Sequence, residues 1–264
     1  MERRRVAVTG VGVVAAPGIG RETFWKGLGV DPGPGPHEIL GWDPEPIIPK
    51  REARRLDRFA QFALVAADEA LTQAGDLDVD PGRVMVSVGT GIGGLASLED
   101  LIGAAYRESP RVSPLWIPMM MSNAAAAAIS IQYGFGGQAS TPVVACAAGA
   151  QAILDGMRQI EWGYADVAVV GGAEGAVRKP TIAGFVAARA LSPTLTARPF
   201  AVDRDGFVLG EGAAILTIES RDRAVERGAT ILAELAGGAS TADAHHITAP
   251  HPQGDGAERA VRLA

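Results

Sequence analysis

One cysteine in 264 residues, Cys146, leaves no partner for an internal disulfide and too few thiols for a multi-cysteine zinc site. Aromatic residues make up only 5%, while 34 residues are glycine, so the core must be built from small side chains that let helices and strands approach closely. No apolar run reaches the roughly 18–20 residues that a membrane-spanning helix needs. The first residues also lack the apolar stretch of a secretory signal. Cations are outnumbered, for a formal net charge of −6, whereas nucleic-acid binding needs clustered Lys and Arg. The run Arg3-Arg4-Arg5 is short and passes at once into Val6, Ala7 and Val8, the entry of a strand. The expected compartment is therefore the cytoplasm, with no nucleic-acid or membrane partner.

What is present alternates buried strands with helices. Arg5 to Val14 reads as a strand that runs into a tight turn at Gly10 and Gly12, and the Pro- and Gly-rich stretch 30–50 as a surface loop. Leu56, Phe59, Phe62, Ala63, Ala66, Ala70 and Leu71 recur at helical spacing over 52–74, stopped by Gly75. Val84 to Val88 is a strand broken by Gly89, Gly91, Gly93 and Gly94. A helix is expected over 122–133 with Ser122 or Asn123 as its cap. A strand over 140–145 should then lead straight into Cys146. Ala147 to Trp162 has a strong helical pattern, and Val167 to Val170 is again a buried strand. Ala213–Glu219 and Ile231–Leu235 read as adjacent strands around a short helix over 222–227. The pattern implies an α/β fold with helices on both sheet faces. Residues 256–264 begin an amphipathic helix with no closing signal, and the expectation is a fragment of a longer protein.

The single thiol sits where a strand, a sharp turn and a helix start meet, in Thr141-Pro-Val-Val-Ala-Cys146-Ala-Ala-Gly149. Backbone N–H groups and the dipole at a helix start favour an anion, hence a thiolate nucleophile, and the same groups can hold a thioester oxyanion. Ala147, Ala148 and Gly149 leave room for a carbonyl. A small buried hydrophobe at a strand–helix junction fits these features equally well.

Longer stretches are similar to those of type II β-ketoacyl synthases. They are Val144-Ala-Cys146-Ala-Ala-Gly-Ala-Gln-Ala-Ile153 and Gly163-Tyr-Ala-Asp-Val-Ala-Val-Val-Gly-Gly-Ala-Glu174. They continue in Ala183-Gly-Phe185-Val-Ala-Ala-Arg-Ala-Leu-Ser192 and Arg198-Pro-Phe-Ala-Val-Asp-Arg-Asp-Gly-Phe-Val-Leu-Gly-Glu-Gly-Ala213. Val6-Ala-Val-Thr-Gly-Val-Gly12 and Gly89-Thr-Gly-Ile-Gly-Gly94 fall in the same order. The resemblance implies a thiolase-like fold of layered helices and sheets, with residues 1–237 as the N-terminal half and 238–264 as the start of the second. It implies that Cys146 accepts an acyl group from acyl carrier protein and that malonyl carrier protein then condenses with it. It further implies that Ile92 and Phe185 line the acyl-chain tunnel. Asp243, His246 and Thr248 would lie on a loop near the active site. The partners implied are carrier protein and a second subunit, in a homodimer or a ketosynthase heterodimer, and no cofactor or metal is implied.

Several departures accompany the resemblance. The family's decarboxylating histidines, in a His-Gly-Thr motif and a Gly-His segment, have no counterpart among His37, His245, His246 and His251. The accompanying Lys and the C-terminal Gly-Phe-Gly oxyanion loop are also missing. Ala201 stands where an Asp often follows the Pro-Phe pair, and the loop before Trp42 is short. On these grounds the chain alone is expected to be acylated but not to condense. Competing readings are weaker. Gly10-Val-Gly12-Val-Val-Ala15 fits the loose dinucleotide pattern, but Pro17 and Gly18 interrupt the helix that should follow. A non-catalytic partner subunit typically lacks the cysteine, and a polyketide ketosynthase shares it. His245-His246 has no further ligands at metal spacing. Asp203 and Arg204 read as an ion-paired turn, and Met119-Met120-Met121 as core or dimer contact.

Overall fold

The computed structural model describes residues 3–45, 47–107 and 112–264. Its strands are β1 (Val6–Ala15), β2 (Gly18–Ile19), β3 (Val84–Gly89), β4 (Ala139–Ser140), β5 (Val167–Glu174), β6 (Gly212–Ser220) and β7 (Ala233–Leu235). Its helices are α1 (Arg21–Gly27), α2 (Lys50–Ala53), α3 (Arg58–Ala74), α4 (Leu95–Ala105), α5 (Trp116–Met120), α6 (Ala124–Tyr133), α7 (Ala148–Glu161), α8 (Lys179–Ala187), α9 (Arg221–Glu226) and α10 (Asp255–Leu263). The strands form one mixed sheet in the order β2-β1-β6-β5-β3-β4, with β7 added on β1. β5, β3 and β4 run parallel, and β6 is antiparallel to both β5 and β1.

Helices cover both faces, as the alternation implies. α3 and α6 pack on one face, where Phe59, Phe62, Ile129 and Ile215 are fully buried. α7 covers the other, where Ile160, Met157 and Leu154 meet Val170 and Ile218. Burying each large apolar side chain contributes about 1.5–3 kcal/mol, which anchors both layers to the central strands.

Gly10 and Gly12 are not a turn. They lie inside β1, where a β-carbon would sit 1.9 Å from the Ala70 carbonyl oxygen and 1.8 Å from that of Ala66. They are glycines because α3 rests on the strand there. The dinucleotide resemblance of this stretch is thus a packing pattern.

Other local expectations shift for physical reasons. The helix expected from residue 52 divides into α2 and α3, because extended Asp57 (φ −64°, ψ 156°) caps α3 by accepting from Phe59 N at 3.2 Å. The strand expected over 140–145 pairs only through Ser140, since Pro142 has no N–H for a ladder, and its carbonyl accepts from Thr90 N instead. Asn123 precedes α6 without a side-chain cap bond. β7 is not beside β6: it pairs with the opposite edge of β1, Val6 facing Leu235. β5 continues through Gly171 and Gly172 to Glu174, which carries that side chain to the end of the strand. Residues 238–264 comprise an extended loop and α10.

A buried ion pair closes this core. Glu219 in β6 is fully buried and accepts from Arg227 Nε at 2.9 Å and Nη2 at 2.6 Å, and from Thr9 Oγ1 at 2.7 Å. Arg227 also donates to the carbonyls of Ala74 and Asp76, tying down the end of α3.

Candidate active site

Three parallel strands, β3, β4 and β5, end on one side of the sheet, the usual place for ligands in open α/β sheets. There a single 3-10 turn, Ala145–Ala147, opens directly into α7. Ala145 holds φ at 51°, a left-handed conformation that non-glycine residues rarely adopt. The turn presents Cys146 at the surface, so the thiol is exposed rather than buried. The inert-core reading of Cys146 therefore fails on burial. Glycines bring the turn close to the strand ends. A β-carbon on Gly89 would lie 2.1 Å from the Ala148 carbonyl oxygen, and Gly149 faces Gly172 with no side chain between them.

Cys146 lines a cavity of about 560 Å³, together with Ile92, Phe185, Phe207 and Glu174. That volume is within the range of small-ligand sites, roughly 300–1,000 Å³. Phe185 of α8 and Phe207 meet edge-to-face with centroids 5.1 Å apart, forming one apolar wall. Three of the residues singled out in the sequence, Cys146, Ile92 and Phe185, thus share one cavity.

Asp243, His246 and Thr248 are not among its lining residues. They occupy an exposed loop between β7 and α10. His246 Nδ1 accepts from Thr248 N and Ala249 N at 3.1 and 3.0 Å, and Asp243 Oδ2 accepts from His251 N at 2.9 Å. The loop's first residues, Gly237 to Thr241, instead flank a separate recess of about 400 Å³ along Ala150 and Ile153 of α7. Among the described residues no histidine lines the Cys146 cavity. Asp203 pairs with Arg198 (2.5 Å) rather than with Arg204, which donates to the Ala201 carbonyl. Met119 and Met120 are partly buried in α5, and Met121 is exposed. Among the described residues no three His, Cys, Asp or Glu side chains form a metal-holding group. No helix of the described residues is long and apolar enough to cross a membrane.

Glu174 was not singled out by sequence reasoning. Its Oε2 accepts from Gly91 N (2.9 Å), Ile92 N (3.1 Å) and Thr90 Oγ1 (3.2 Å), and its Oε1 from Gly175 N (3.2 Å). Burial pushes this carboxyl above the ordinary glutamate range, against the opposing effect of these hydrogen bonds. The only trace in the sequence is an acidic residue directly after the buried run Val167–Ala173.

A mixed sheet clad by helices, with a cysteine turn at the head of the helix over its parallel strand ends, is a thiolase-like arrangement. The chain belongs to the β-ketoacyl synthase family, whose N-terminal domain matches residues 37–224. It is 41% identical to the 3-oxoacyl-[acyl-carrier-protein] synthase 2 of Synechocystis over 290 residues, covering all of this chain and 69% of that relative. Among solved structures it resembles the ishigamide ketosynthase/chain length factor, with a TM-score of 0.90 at 32% identity, over 99% of this chain and 69% of that one. It also resembles a chain from the complex of a type II PKS acyl-carrier protein with its ketosynthase bound to the hexaketide. There the TM-score is 0.85 at 30% identity, over 99% and 69% of the two chains.

Proposed function

We propose that this chain carries the acyl-accepting part of a β-ketoacyl-(acyl carrier protein) synthase of fatty-acid biosynthesis. The observation that carries the reading is Cys146 exposed at the head of α7 and opening into the apolar cavity walled by Ile92 and Phe185. In the first half-reaction the Cys146 thiol loses its proton and its sulfur attacks the thioester carbonyl of acyl carrier protein. A new sulfur–carbon bond forms, the carrier's thiolate leaves and takes up a proton, and the apolar cavity receives the acyl chain. Malonyl carrier protein then loses carbon dioxide, and its carbanion attacks the acyl-enzyme carbonyl, forming a carbon–carbon bond as the sulfur–carbon bond breaks and the Cys146 thiolate leaves to take up a proton. Residues 1–237 form the nucleophile-bearing half in this proposal, and 238–264 lead into the second. Asp243, His246 and Thr248 belong to a loop that moves toward the site during turnover.

Partner recognition follows from charge and edges. Lys50, Arg51, Arg54 and Arg55 form an exposed cationic cluster around α2, suited to an acidic carrier protein. This cluster leads into Asp57, whose Oδ2 accepts from Ser97 N at 2.8 Å, three residues beyond the glycine loop that borders the cavity. β4 lies at the edge of the sheet, and Ile131, Val143 and Val144 beside it are exposed, which supports pairing with a second ketosynthase subunit.

A second reading, a type II polyketide ketosynthase, is favoured by the resemblance to the ketosynthase solved with a type II PKS acyl-carrier protein. Incubation of the chain with acyl- and malonyl-carrier proteins, followed by product analysis, tests the proposal. The expected outcome is loss of acyl groups from the carrier without β-ketoacyl product, because no histidine faces Cys146 to stabilise the carbanion. Full condensing turnover by this chain would overturn the division of labour proposed here. Repeating the assay with a complementing C-terminal polypeptide distinguishes fatty-acid from polyketide products.

A further inference from the structure

The turn Thr90–Gly91–Ile92 forms one rim of the Cys146 cavity, yet little of it is anchored by the sheet. β3 ends at Gly89 and α4 begins only at Leu95. Its amides turn instead to a side chain from another strand: Gly91 N and Ile92 N both donate to Glu174 Oε2, and Thr90 Oγ1 donates to the same atom. Thr90 Oγ1 in turn accepts from Gly93 N at 3.1 Å, so the carboxylate holds the whole turn through two layers of hydrogen bonds. One side of Gly91 faces both Glu174 and the nucleophile turn. A β-carbon placed there would be 3.1 Å from Glu174 Oε2 and 3.7 Å from Ala145 Cα. Glu174 and the strained residue before Cys146 therefore meet on the same side of Gly91, where there is no side chain.

We propose that Glu174 is a positioning residue for acyl transfer, a carboxylate that clamps the Thr90–Ile92 turn against the Cys146 elbow and so fixes Ile92 as a wall of the acyl pocket. The inference rests on the acyl-transfer reading above and names one determinant of how that site accepts a chain. Charge suits the task, since an ionised carboxylate oxygen accepts several amide hydrogen bonds at once and each is stronger than a bond to a neutral acceptor. Keeping that charge in a half-buried place is costly, as its raised pKa indicates.

The test uses Glu174→Ala and Glu174→Gln in the full chain, with two readouts. Amide hydrogen exchange in the peptide spanning 89–95 reads the clamp itself. It is expected to quicken about tenfold or more in Glu174→Ala, the effect of losing a hydrogen bond to a charged acceptor, and less in Glu174→Gln, which keeps one acceptor oxygen. The second readout compares acylation of Cys146 by a long-chain acyl carrier protein with its alkylation by iodoacetamide, a probe too small to need the pocket wall. Acylation is expected to fall about tenfold in Glu174→Ala and less in Glu174→Gln, with alkylation staying within about threefold of wild type. Unchanged exchange in Glu174→Ala overturns the inference whatever the acylation shows. So does a parallel fall of acylation and alkylation, which would mean general damage to the elbow. If wild type itself takes no acyl group, the acyl-transfer reading fails, and the exchange experiment still decides whether Glu174 holds the turn.

Discussion

Gly89 at the end of β3 lies so close to Ala148 in the first turn of α7 that a β-carbon on it would stand 2.1 Å from the Ala148 carbonyl oxygen. The contact is backbone against backbone, so no side chain can move aside. Gly89→Ala must push α7, and Cys146 with it, away from the strand ends. Acylation of Cys146 is expected to fall about 100-fold, at a stability cost of about 1–3 kcal/mol, the usual range for overpacking. Gly103→Ala is the control, because nothing lies within 4 Å of its β-carbon position in α4. Kinetics and urea unfolding of the two variants check this, and equal behaviour would contradict the close-approach account.

The Glu219–Arg227 pair predicts a different response. Glu219 is fully buried, and the Arg227 side chain is only 12% exposed, so removing one partner strands the other's charge in the core. Glu219→Ala is expected to destabilise the chain by about 3–5 kcal/mol. Chemical denaturation measures it, and a loss below about 1 kcal/mol, typical of surface pairs, would contradict the burial assignment.

The α2 cluster predicts selective loss of partner recognition. Reversing two exposed cations, Arg54→Glu with Arg55→Glu, should slow acyl transfer from carrier protein about tenfold or more. Transfer from a small acyl thioester that carries no protein should stay unchanged. The deficit from carrier protein should narrow as salt rises, because the interaction is electrostatic. Equal loss with both donors would place the effect at Cys146 and not at the carrier surface.

Glu174 makes stability depend on pH in a defined direction. Burial raises its pKa in the fold above the ordinary glutamate value, so folding favours the protonated form. Its contribution to stability is full below that ordinary value and is lost as the pH rises through the raised one. Glu174→Gln, neutral at every pH, should therefore gain stability relative to wild type between about pH 4 and about pH 7. Urea unfolding at both ends of that interval measures the difference. A gap that shrinks toward neutral pH would contradict the assigned direction.

Much of this architecture was legible in the residue pattern. The helical spacing around Phe59 and Phe62 placed α3, and Ala147–Trp162 placed α7 to within a residue at each end. Those faces are periodic because each rests on the sheet. What stayed hidden was long-range. Gly10 and Gly12 look like turn residues because a sequence does not display the helix lying on them. β7 reads as a neighbour of β6 because chain order says nothing of its crossing to the other edge of β1. The site divides the same way. Cys146 is visible as a lone thiol at a strand–helix junction, but those local features fit a buried hydrophobe equally well, and the longer stretches resembling β-ketoacyl synthases singled it out. Glu174 acts through amides more than 80 residues away in the chain, and its place after a buried run does not reveal those partners.

Intact mass spectrometry after incubation with acyl carrier protein bearing a medium-length acyl chain tests the central claim most directly, with Cys146→Ala as the control. The account predicts a gain of one acyl mass on the wild-type chain and none on Cys146→Ala. A folded wild-type chain that gains no acyl mass, or a Cys146→Ala chain that gains the same mass, would contradict it.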